Sequence, residues 1–309
     1  MNSARRATIF LLSTTVIWGS TFPITKELVQ DLTALGMTAS AATLLGMTAR
    51  FLFASLAFVA VPGALKLGRR ELWGSFMITW PGFIGLAFQG LGLFEGSSTV
   101  VAFLTNLMVV FTPIFGFFLF KEKLSKGLLV GVLLALVGIW ILTNPLKQGS
   151  FGRPEWLALA SAVIFGLQIQ LVNAYTKDAN AEAMTMGMFL HFTWMNAAAL
   201  LVLPAGRAAL PLALHPTAAI LGWVLYLALV ASALSMWVFM RFQRAISPSR
   251  AAVIYCLEPA FAALFAIGFQ HDPLTWRVFV GGGLILGANL GVELLKRPAS
   301  DPPAAPPAS

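Results

Sequence analysis

The sequence predicts an all-α integral membrane protein with ten transmembrane helices, arranged as two inverted-topology five-helix repeats. Three observations favour this fold class: the composition, the spacing of the apolar stretches, and the similarity between the two halves. Of the 309 residues, 58% are hydrophobic and 10% are charged, whereas a soluble domain carries about 25% charged residues. A mean hydropathy of +0.83 agrees. The composition therefore excludes the soluble enzyme classes.

Each of ten stretches supplies the roughly 20 apolar residues that a membrane-spanning helix requires. The first five lie near residues 7–29, 40–61, 72–94, 97–120 and 127–144, and the second five near 155–175, 182–203, 217–240, 249–269 and 274–295. The first stretch follows two arginines, but it is too long for a signal peptide and no cleavage site follows it. We interpret it as a retained first span.

The distribution of basic residues predicts the orientation. Of the 20 Lys and Arg residues, 14 lie at the two ends of the chain or in the even-numbered connections, five lie in the odd-numbered connections, and Arg50 lies within a span. Cytoplasmic loops carry the excess of Lys and Arg. We therefore expect a multi-pass protein of a bacterial-type inner membrane with both termini in the cytoplasm. The net charge of +8 then belongs to loops and does not indicate nucleic-acid binding.

An internal repeat relates the two halves. Residues 17–19 (Ile-Trp-Gly) align with 164–166 (Ile-Phe-Gly) at an offset of 147, and residues 97–99 align with 247–249 at an offset of 150. Five helices per half is an odd number, so the second half enters the membrane from the opposite side, as in many transporters. The predicted boundaries are 1–146 for the first repeat, 147–297 for the second, and 298–309 for a disordered Pro/Ala-rich tail.

Four short motifs resemble a known family. They are residues 17–22 (IWGSTF), 50–54 (RFLFA), 121–125 (KEKLS) and 257–261 (LEPAF). Their order within ten spans is similar to EamA-type members of the drug/metabolite transporter superfamily, over nearly the whole chain to about residue 297. The chain departs from the family at His271-Asp272-Pro273, where a glutamate is usual. The resemblance implies a ten-helix exporter of amino acids, aromatic ones among them, or of other metabolites or drugs.

Two helix faces are candidate substrate-binding surfaces because each combines an aromatic ring with small polar groups, as ligand pockets do. The spacing i, i+4, i+7 places their residues on one face of a helix. The residues are Thr14, Trp18 and Thr21 in the first span and their repeat equivalents Ser161, Phe165 and Gln168 in the sixth. The alternative is that Trp18 is only a packing residue.

Further candidates are polar residues within spans, which should face the protein interior because an unpaired polar group is costly in lipid. They are Gln89, Asn106, Ser232, Ser235, Tyr255 and Glu258. Each amide either binds substrate or joins helices. Glu258, beside Pro259, binds a substrate amine, carries a proton or pairs internally. Two other ionisable groups lie within spans: Arg50 needs a partner, and His191 is interpreted as a packing residue.

Small residues recur every four positions in the fifth and tenth spans, and this spacing favours close helix packing. They are Gly127, Gly131 and Ala135 in one span and Gly283, Gly287 and Gly291 in the other. We expect these two spans to form a scaffold outside the transport path.

These features predict a secondary transporter that exports small amphipathic metabolites by alternating access, with amino acids, including aromatic ones, as substrates. The alternative is an exporter of cationic drugs or other metabolites that uses Glu258. A Walker motif is absent, so ATP is not expected to drive transport. A membrane enzyme lacks a recognisable nucleophile–base or metal constellation, and a channel lacks a filter-like loop. The expected partners are a small-molecule substrate and the lipid bilayer, with no cofactor, metal or nucleic acid.

Overall fold

The computed structural model describes residues 3–121, 126–143, 151–176, 179–214, 216–242, 254–270 and 272–294, and these residues contain no β-strand. The helices of the first half are α1 (Ser3–Ala34), α2 (Ala39–Phe58), α3 (Arg69–Glu95), α4 (Ser98–Thr105), α5 (Met108–Phe120) and α6 (Lys126–Thr143).

The second half begins with α7 (Arg153–Tyr175), α8 (Ala181–Val202) and the short α9 (Pro204–Ala213). A three-part helix follows: α10 (Ala218–Leu225), a π-helix (Tyr226–Leu234) and α11 (Ser235–Phe242). The last two helices are α12 (Glu258–Gln270) and α13 (Trp276–Leu294). The prediction of an all-helical membrane protein is therefore confirmed.

Seven helical segments of the described residues are long and apolar enough to cross a membrane. They are α1, α2, α3, α4 together with α5, α7, α8, and α10 together with the π-helix and α11. A shorter apolar helix, Val130–Leu142, lies in the predicted fifth span. Helices α12 and α13 occupy the predicted ninth and tenth spans.

Capping side chains fix where several helices begin. Thr38 accepts a hydrogen bond from the Ala41 amide at 3.3 Å, and Asn180 accepts one from the Ala183 amide at 2.8 Å. Thr217 caps α10 in the same way. Side-chain oxygens at this position satisfy amides that have no partner inside the helix. These side chains thus fix the first residues of α2, α8 and α10.

The two halves pack against each other in equivalent pairs. Helix α6 packs on α13 and α2 packs on α8, and each of these pairs joins helices that the repeat makes equivalent. The contact between α3 and α7 has its counterpart in the contacts that α1 makes with α10, the π-helix and α11. The contact between α1 and α12 has its counterpart between α5 and α7. Exchanging the halves therefore preserves these pairs of helices.

Two glycines in equivalent positions permit close approaches between the halves. A Cβ on Gly19 would lie 2.7 Å from the Phe261 Cβ, and a Cβ on Gly166 would lie 2.7 Å from the Phe111 Cβ. Both distances are shorter than any normal carbon–carbon contact, so only glycine fits. Gly19 and Gly166 differ by the offset of 147, and Phe111 and Phe261 by the offset of 150.

The prediction for the glycines of the tenth span is wrong. Gly283 and Gly287 are exposed, and a Cβ on either would meet no atom within 4 Å. The close contact with α6 is made by Gly281, where a Cβ would lie 2.8 Å from the Gly138 carbonyl oxygen. Helices α6 and α13 nevertheless pack closely on each other, through a different face of α13.

The outer surface is strongly apolar. Phe118, Leu133, Leu264 and Phe279 expose between 64% and 73% of their surface. Apolar side chains in such numbers on a helical surface match a lipid environment. The tryptophans near the span ends, Trp73, Trp156 and Trp276, are also exposed, as expected for interfacial residues.

Candidate functional site

The fourth and ninth spans are interrupted at equivalent positions. Leu107 donates its amide to the Leu104 carbonyl at 3.1 Å, and Leu257 donates to the Ile254 carbonyl at 3.1 Å. These two breaks differ by the repeat offset of 150. Each replaces α-helical hydrogen bonds by the tighter i→i+3 pattern, which often marks a functional hinge. Discontinuous helices of this kind commonly form the substrate sites of transporters built from repeats.

The eighth span contains a second irregularity, the π-helix. Ser232 donates its hydroxyl to the Leu227 carbonyl at 2.8 Å, and Ser235 donates to the Val230 carbonyl at 2.8 Å. Each serine thus satisfies a carbonyl five residues earlier in its own helix. The widened turn positions both hydroxyls toward the protein interior, where Ser232 and Ser235 are buried.

Three aromatic rings meet where α1, α11 and the ninth span come together. Trp18 lies 5.7 Å from Phe239 and 5.8 Å from Tyr255, and those two rings lie 5.8 Å from each other. These are ring-centroid distances within the favourable range for aromatic pairs. The Trp18 indole donates a hydrogen bond to the Ala231 carbonyl in the π-helix at 3.2 Å. We call Trp18, Phe239 and Tyr255 the aromatic cluster.

Glu258 opens α12, immediately after the break in the ninth span. Its backbone is held against α1, because a Cβ on Gly19 would lie 3.1 Å from the Glu258 carbonyl oxygen. The Glu258 side chain is partly exposed, and no described residue forms a hydrogen bond or ion pair with its carboxylate. The carboxylate therefore lies one turn beyond Tyr255 on the broken span, available to a ligand.

Arg50 is a further polar group in this region, which the sequence marked only as needing a partner. Its Nε donates a hydrogen bond to the Ser232 hydroxyl at 2.9 Å. This hydrogen bond joins α2 to the π-helix. Ser232 directly follows Ala231, whose carbonyl accepts the hydrogen bond of the Trp18 indole. The structure thus brings together Trp18, Ser232 and Tyr255 from the sequence-predicted set, and adds Arg50 and Phe239.

The equivalent residues of the second half make a different set of contacts. Phe165 packs against α3 at Gly85, where a Cβ would lie 2.5 Å from the ring, and Gln168 contacts Gly82. Phe165 and Trp18 occupy equivalent positions in two separate helix contacts and are not in ring contact with each other. The aromatic cluster therefore belongs to one side of the pseudo-symmetric assembly.

Several predicted site residues satisfy their hydrogen bonds within the protein. Thr14 and Thr21 donate to carbonyls of their own helix. Ser161 donates to the Ala158 carbonyl and lies 3.3 Å from the Thr105 hydroxyl. Asn106 is buried and accepts from the Asn289 amide at 2.6 Å. Gln89 is partly exposed, and no described residue forms a hydrogen bond with its side chain.

His191 lies in a contact between α3 and α8, apart from the aromatic cluster. Its Nε2 lies 3.1 Å from the Leu72 carbonyl, and its Nδ1 accepts from the Trp194 indole at 2.7 Å. The ring is therefore a neutral imidazole that donates through Nε2. This arrangement agrees with the interpretation of His191 as a packing residue.

A cavity of about 420 Å³ lies between α1, the eighth span and α12. Ser20 and Tyr226 contribute the polar groups of its wall, and their hydroxyls are 2.6 Å apart. Phe265, Phe269 and Trp223 form much of the rest. Neither Ser20 nor Tyr226 was among the predicted site residues. Ser20 precedes Thr21 and so lies outside the predicted face of Thr14, Trp18 and Thr21.

The broken spans, the paired contacts between the halves and the polar groups where the halves meet are features of a membrane transporter. The model of the EamA-like transporter family matches residues 5–144 and again residues 153–293. The chain therefore belongs to the EamA-like transporter family, and it contains two copies of the family's unit.

Relatives and a solved structure agree with this assignment. A protein of Archaeoglobus fulgidus described as an uncharacterized transporter is 29% identical over 289 residues, covering 90% of this chain and 83% of the relative. A second from that organism is 23% identical, covering 94% and 98%. A crystal structure that is 18% identical covers 92% of this chain and 98% of its own, with a TM-score of 0.60. This last similarity concerns the fold.

Proposed function

We propose that this transporter exports small amphipathic metabolites, with amino acids, including aromatic ones, as substrates. The observation that carries the proposal is the aromatic cluster, in which Trp18 and Tyr255 meet beside the break in the ninth span. A substrate ring gains dispersion and quadrupole contacts against such rings. Polar groups at the edges of the cluster then select for a polar end on the same molecule.

The transport mechanism that we propose is alternating access between two inverted five-helix repeats, residues 1–146 and 147–297, followed by a tail of residues 298–309. The equivalent pairs of helices that join the two halves support this arrangement. The equivalent breaks in the fourth and ninth spans support it independently, since a short break allows one part of a helix to rotate against the other. Both termini lie in the cytoplasm of a bacterial-type inner membrane under this proposal, in agreement with the Lys and Arg distribution.

The substrate-binding residues that we propose fall into two groups. Trp18, Ser232, Ser235, Tyr255 and Glu258 lie around the aromatic cluster and the π-helix, and these form the core of the proposal. The other predicted residues are Thr14, Thr21, Gln89, Asn106, Ser161, Phe165 and Gln168. Of these, Asn106 and Ser161 form hydrogen bonds between helices, and Thr14 and Thr21 form them within α1. The ligands are small molecules, without a cofactor or metal.

A second candidate substrate class is organic cations. The observation in its favour is the Glu258 carboxylate, which no described residue pairs. A cation would neutralise this charge in the membrane interior, where an isolated charge is costly. The Glu258 carboxylate can equally bind the ammonium group of an amino acid. Amino acids and organic cations therefore differ in whether a carboxylate on the substrate strengthens or weakens binding.

Uptake assays on the purified protein in liposomes distinguish the two classes. The probes are radiolabelled phenylalanine, alanine and an aromatic quaternary ammonium compound. The proposal predicts saturable phenylalanine uptake that unlabelled amino acids compete away and that the ammonium compound does not. Uptake of the ammonium compound alone, lost in Glu258→Gln, would favour the second candidate. Absence of saturable uptake for all three would remove both.

A further inference from the structure

Arg50 lies midway along α2, on the side of the helix that faces the protein. Thr43, Met47 and Ala54, which share this side, are 2%, 4% and 0% exposed. Arg50 itself remains partly exposed. Because its neighbours above and below are buried, that exposure opens toward the protein interior rather than toward lipid. Ionisable residues in such positions are uncommon in spans and usually serve the transport path.

The contacts of Arg50 leave its charge uncompensated. Nε donates to the neutral Ser232 hydroxyl, and the guanidinium carbon lies 5.3 Å from the centroid of the Phe51 ring. In the part of the chain that the structure describes, no carboxylate lies within ion-pair distance of Arg50, and neither Nη nitrogen has a hydrogen-bond acceptor. An unpaired charge in the membrane interior is costly to retain.

The geometry points to a ligand that completes this site. The bond to Ser232 fixes one edge of the guanidinium, and the two Nη nitrogens remain as a pair of parallel donors. A carboxylate matches this pair with two parallel hydrogen bonds. We propose that Arg50 is the receptor for a carboxylate group of the transported molecule, an inference that rests on the proposed function and narrows its substrates to carboxylate-bearing compounds.

The π-helix connects this receptor to the aromatic cluster. Ser232, which holds Arg50, directly follows Ala231, which accepts the hydrogen bond of the Trp18 indole. Trp18 in turn contacts Tyr255, three residues before Glu258. An α-amino acid bound here places its carboxylate on Arg50 and its side-chain ring toward Trp18. Arg50 then selects a carboxylate-bearing substrate over a simple cation.

The test uses three probes that share a phenyl ring and differ in charged groups. Phenylalanine carries both a carboxylate and an ammonium, 2-phenylethylamine carries the ammonium alone, and 3-phenylpropionate carries the carboxylate alone. Binding is measured on the purified protein in detergent from ligand-dependent shifts in thermal stability. The variants are Arg50→Gln and Arg50→Lys. The matched control is Arg277→Gln, because the Arg277 guanidinium also lies over an aromatic ring, at 5.4 Å from Trp276, but at the start of α13.

We expect Arg50→Gln to weaken binding of phenylalanine and 3-phenylpropionate about tenfold or more, the value of a hydrogen-bonded charge. Binding of 2-phenylethylamine should change less than twofold, and Arg277→Gln should change none of the three. Arg50→Lys keeps the charge but loses the paired donors, so it should weaken both carboxylates to an intermediate extent. This variant carries the test if Arg50→Gln does not fold.

Two results would overturn the inference. Equal weakening of all three probes in both variants would make Arg50 a structural residue, and unchanged 3-phenylpropionate binding would remove it from the site. A failure of the proposed function looks different. If the wild type binds 3-phenylpropionate through Arg50 but does not bind phenylalanine, the carboxylate receptor stands and the amino acid substrates do not.

Discussion

Replacing Trp18 by alanine should reduce transport of aromatic substrates more than transport of small ones. Trp18 makes two ring contacts at 5.7 and 5.8 Å and remains partly exposed, so a substrate ring has access to the part of its surface that the cluster leaves open. One aromatic pair contributes about 0.5–1.5 kcal/mol beyond buried area. At about 1.4 kcal/mol per factor of ten, phenylalanine transport should fall about 2- to 12-fold more than alanine transport.

The assay measures initial uptake into liposomes per folded molecule, at substrate concentrations below saturation. The control is Trp156→Ala, since Trp156 also contacts a phenylalanine ring, at 5.0 Å, but is 59% exposed at the end of a span. A second variant, Trp18→Phe, keeps a ring and loses the N–H that binds the Ala231 carbonyl. It should retain most of the preference for phenylalanine. Equal losses for phenylalanine and alanine in Trp18→Ala would refute a substrate-binding role for Trp18.

Three further predictions follow from the fold and the charge distribution. Gly19→Val and Gly166→Val should each lower stability by about 1–3 kcal/mol through overpacking, measured as a lower melting temperature. Gly283→Val should leave the melting temperature unchanged, because a Cβ at Gly283 meets no other atom. Equal effects of all three substitutions would contradict the packing described for Gly19 and Gly166. A cysteine introduced at Ser309 should not react with a membrane-impermeant thiol reagent added to intact cells. Ready labelling would show that the predicted orientation is wrong. Collapse of a proton gradient at a fixed substrate gradient should leave flux intact, because Glu258 is assigned to substrate; loss of flux would make it a proton carrier.

The helical membrane fold and the relation between the halves could be predicted because both depend on patterns spread along the chain. Apolar stretches of sufficient length identify spans regardless of local packing. The offset of 150 already aligned residues 97–99 with 247–249, and it also relates the breaks at Leu107 and Leu257. The breaks themselves had little common signal in the sequence. Pro259 follows the break at Leu257, whereas the break at Leu107 follows Asn106 and has no proline beside it.

The rotation of a helix about its axis was harder to predict. Three consecutive glycines, Gly281 to Gly283, begin the small-residue pattern of α13. Residues four positions apart lie on one face of a helix, and the sequence fits a packing face through Gly283 and Gly287 as well as one through Gly281 and Ile285. The structure uses the second, because Gly281 approaches Gly138 and Ile285 is fully buried. Only the shape of the partner helix decides between the two.

The candidate site was predicted in part, because hydrogen-bonding residues in spans serve both binding and packing. Ser232 and Ser235 were expected in the interior, but the π-helix that positions them has no sequence signature. Asn106 was a candidate ligand-binding amide in the sequence, but in the structure its side-chain oxygen accepts a hydrogen bond from Asn289 of the other half. Arg50 was recognised only as a charge without a partner, since its contact with Ser232 spans 182 residues of sequence.

If this chain carries amino acids by alternating access, as we propose, it should catalyse counterflow. Liposomes containing the purified protein are loaded with unlabelled phenylalanine and diluted into a trace of labelled phenylalanine. A carrier that exchanges substrate across the membrane should accumulate label transiently above the equilibrium level, and this overshoot should vanish in liposomes without internal substrate. Label that rises only to equilibrium, at a rate that does not depend on internal phenylalanine and does not saturate, would exclude alternating access and indicate a channel or a leak.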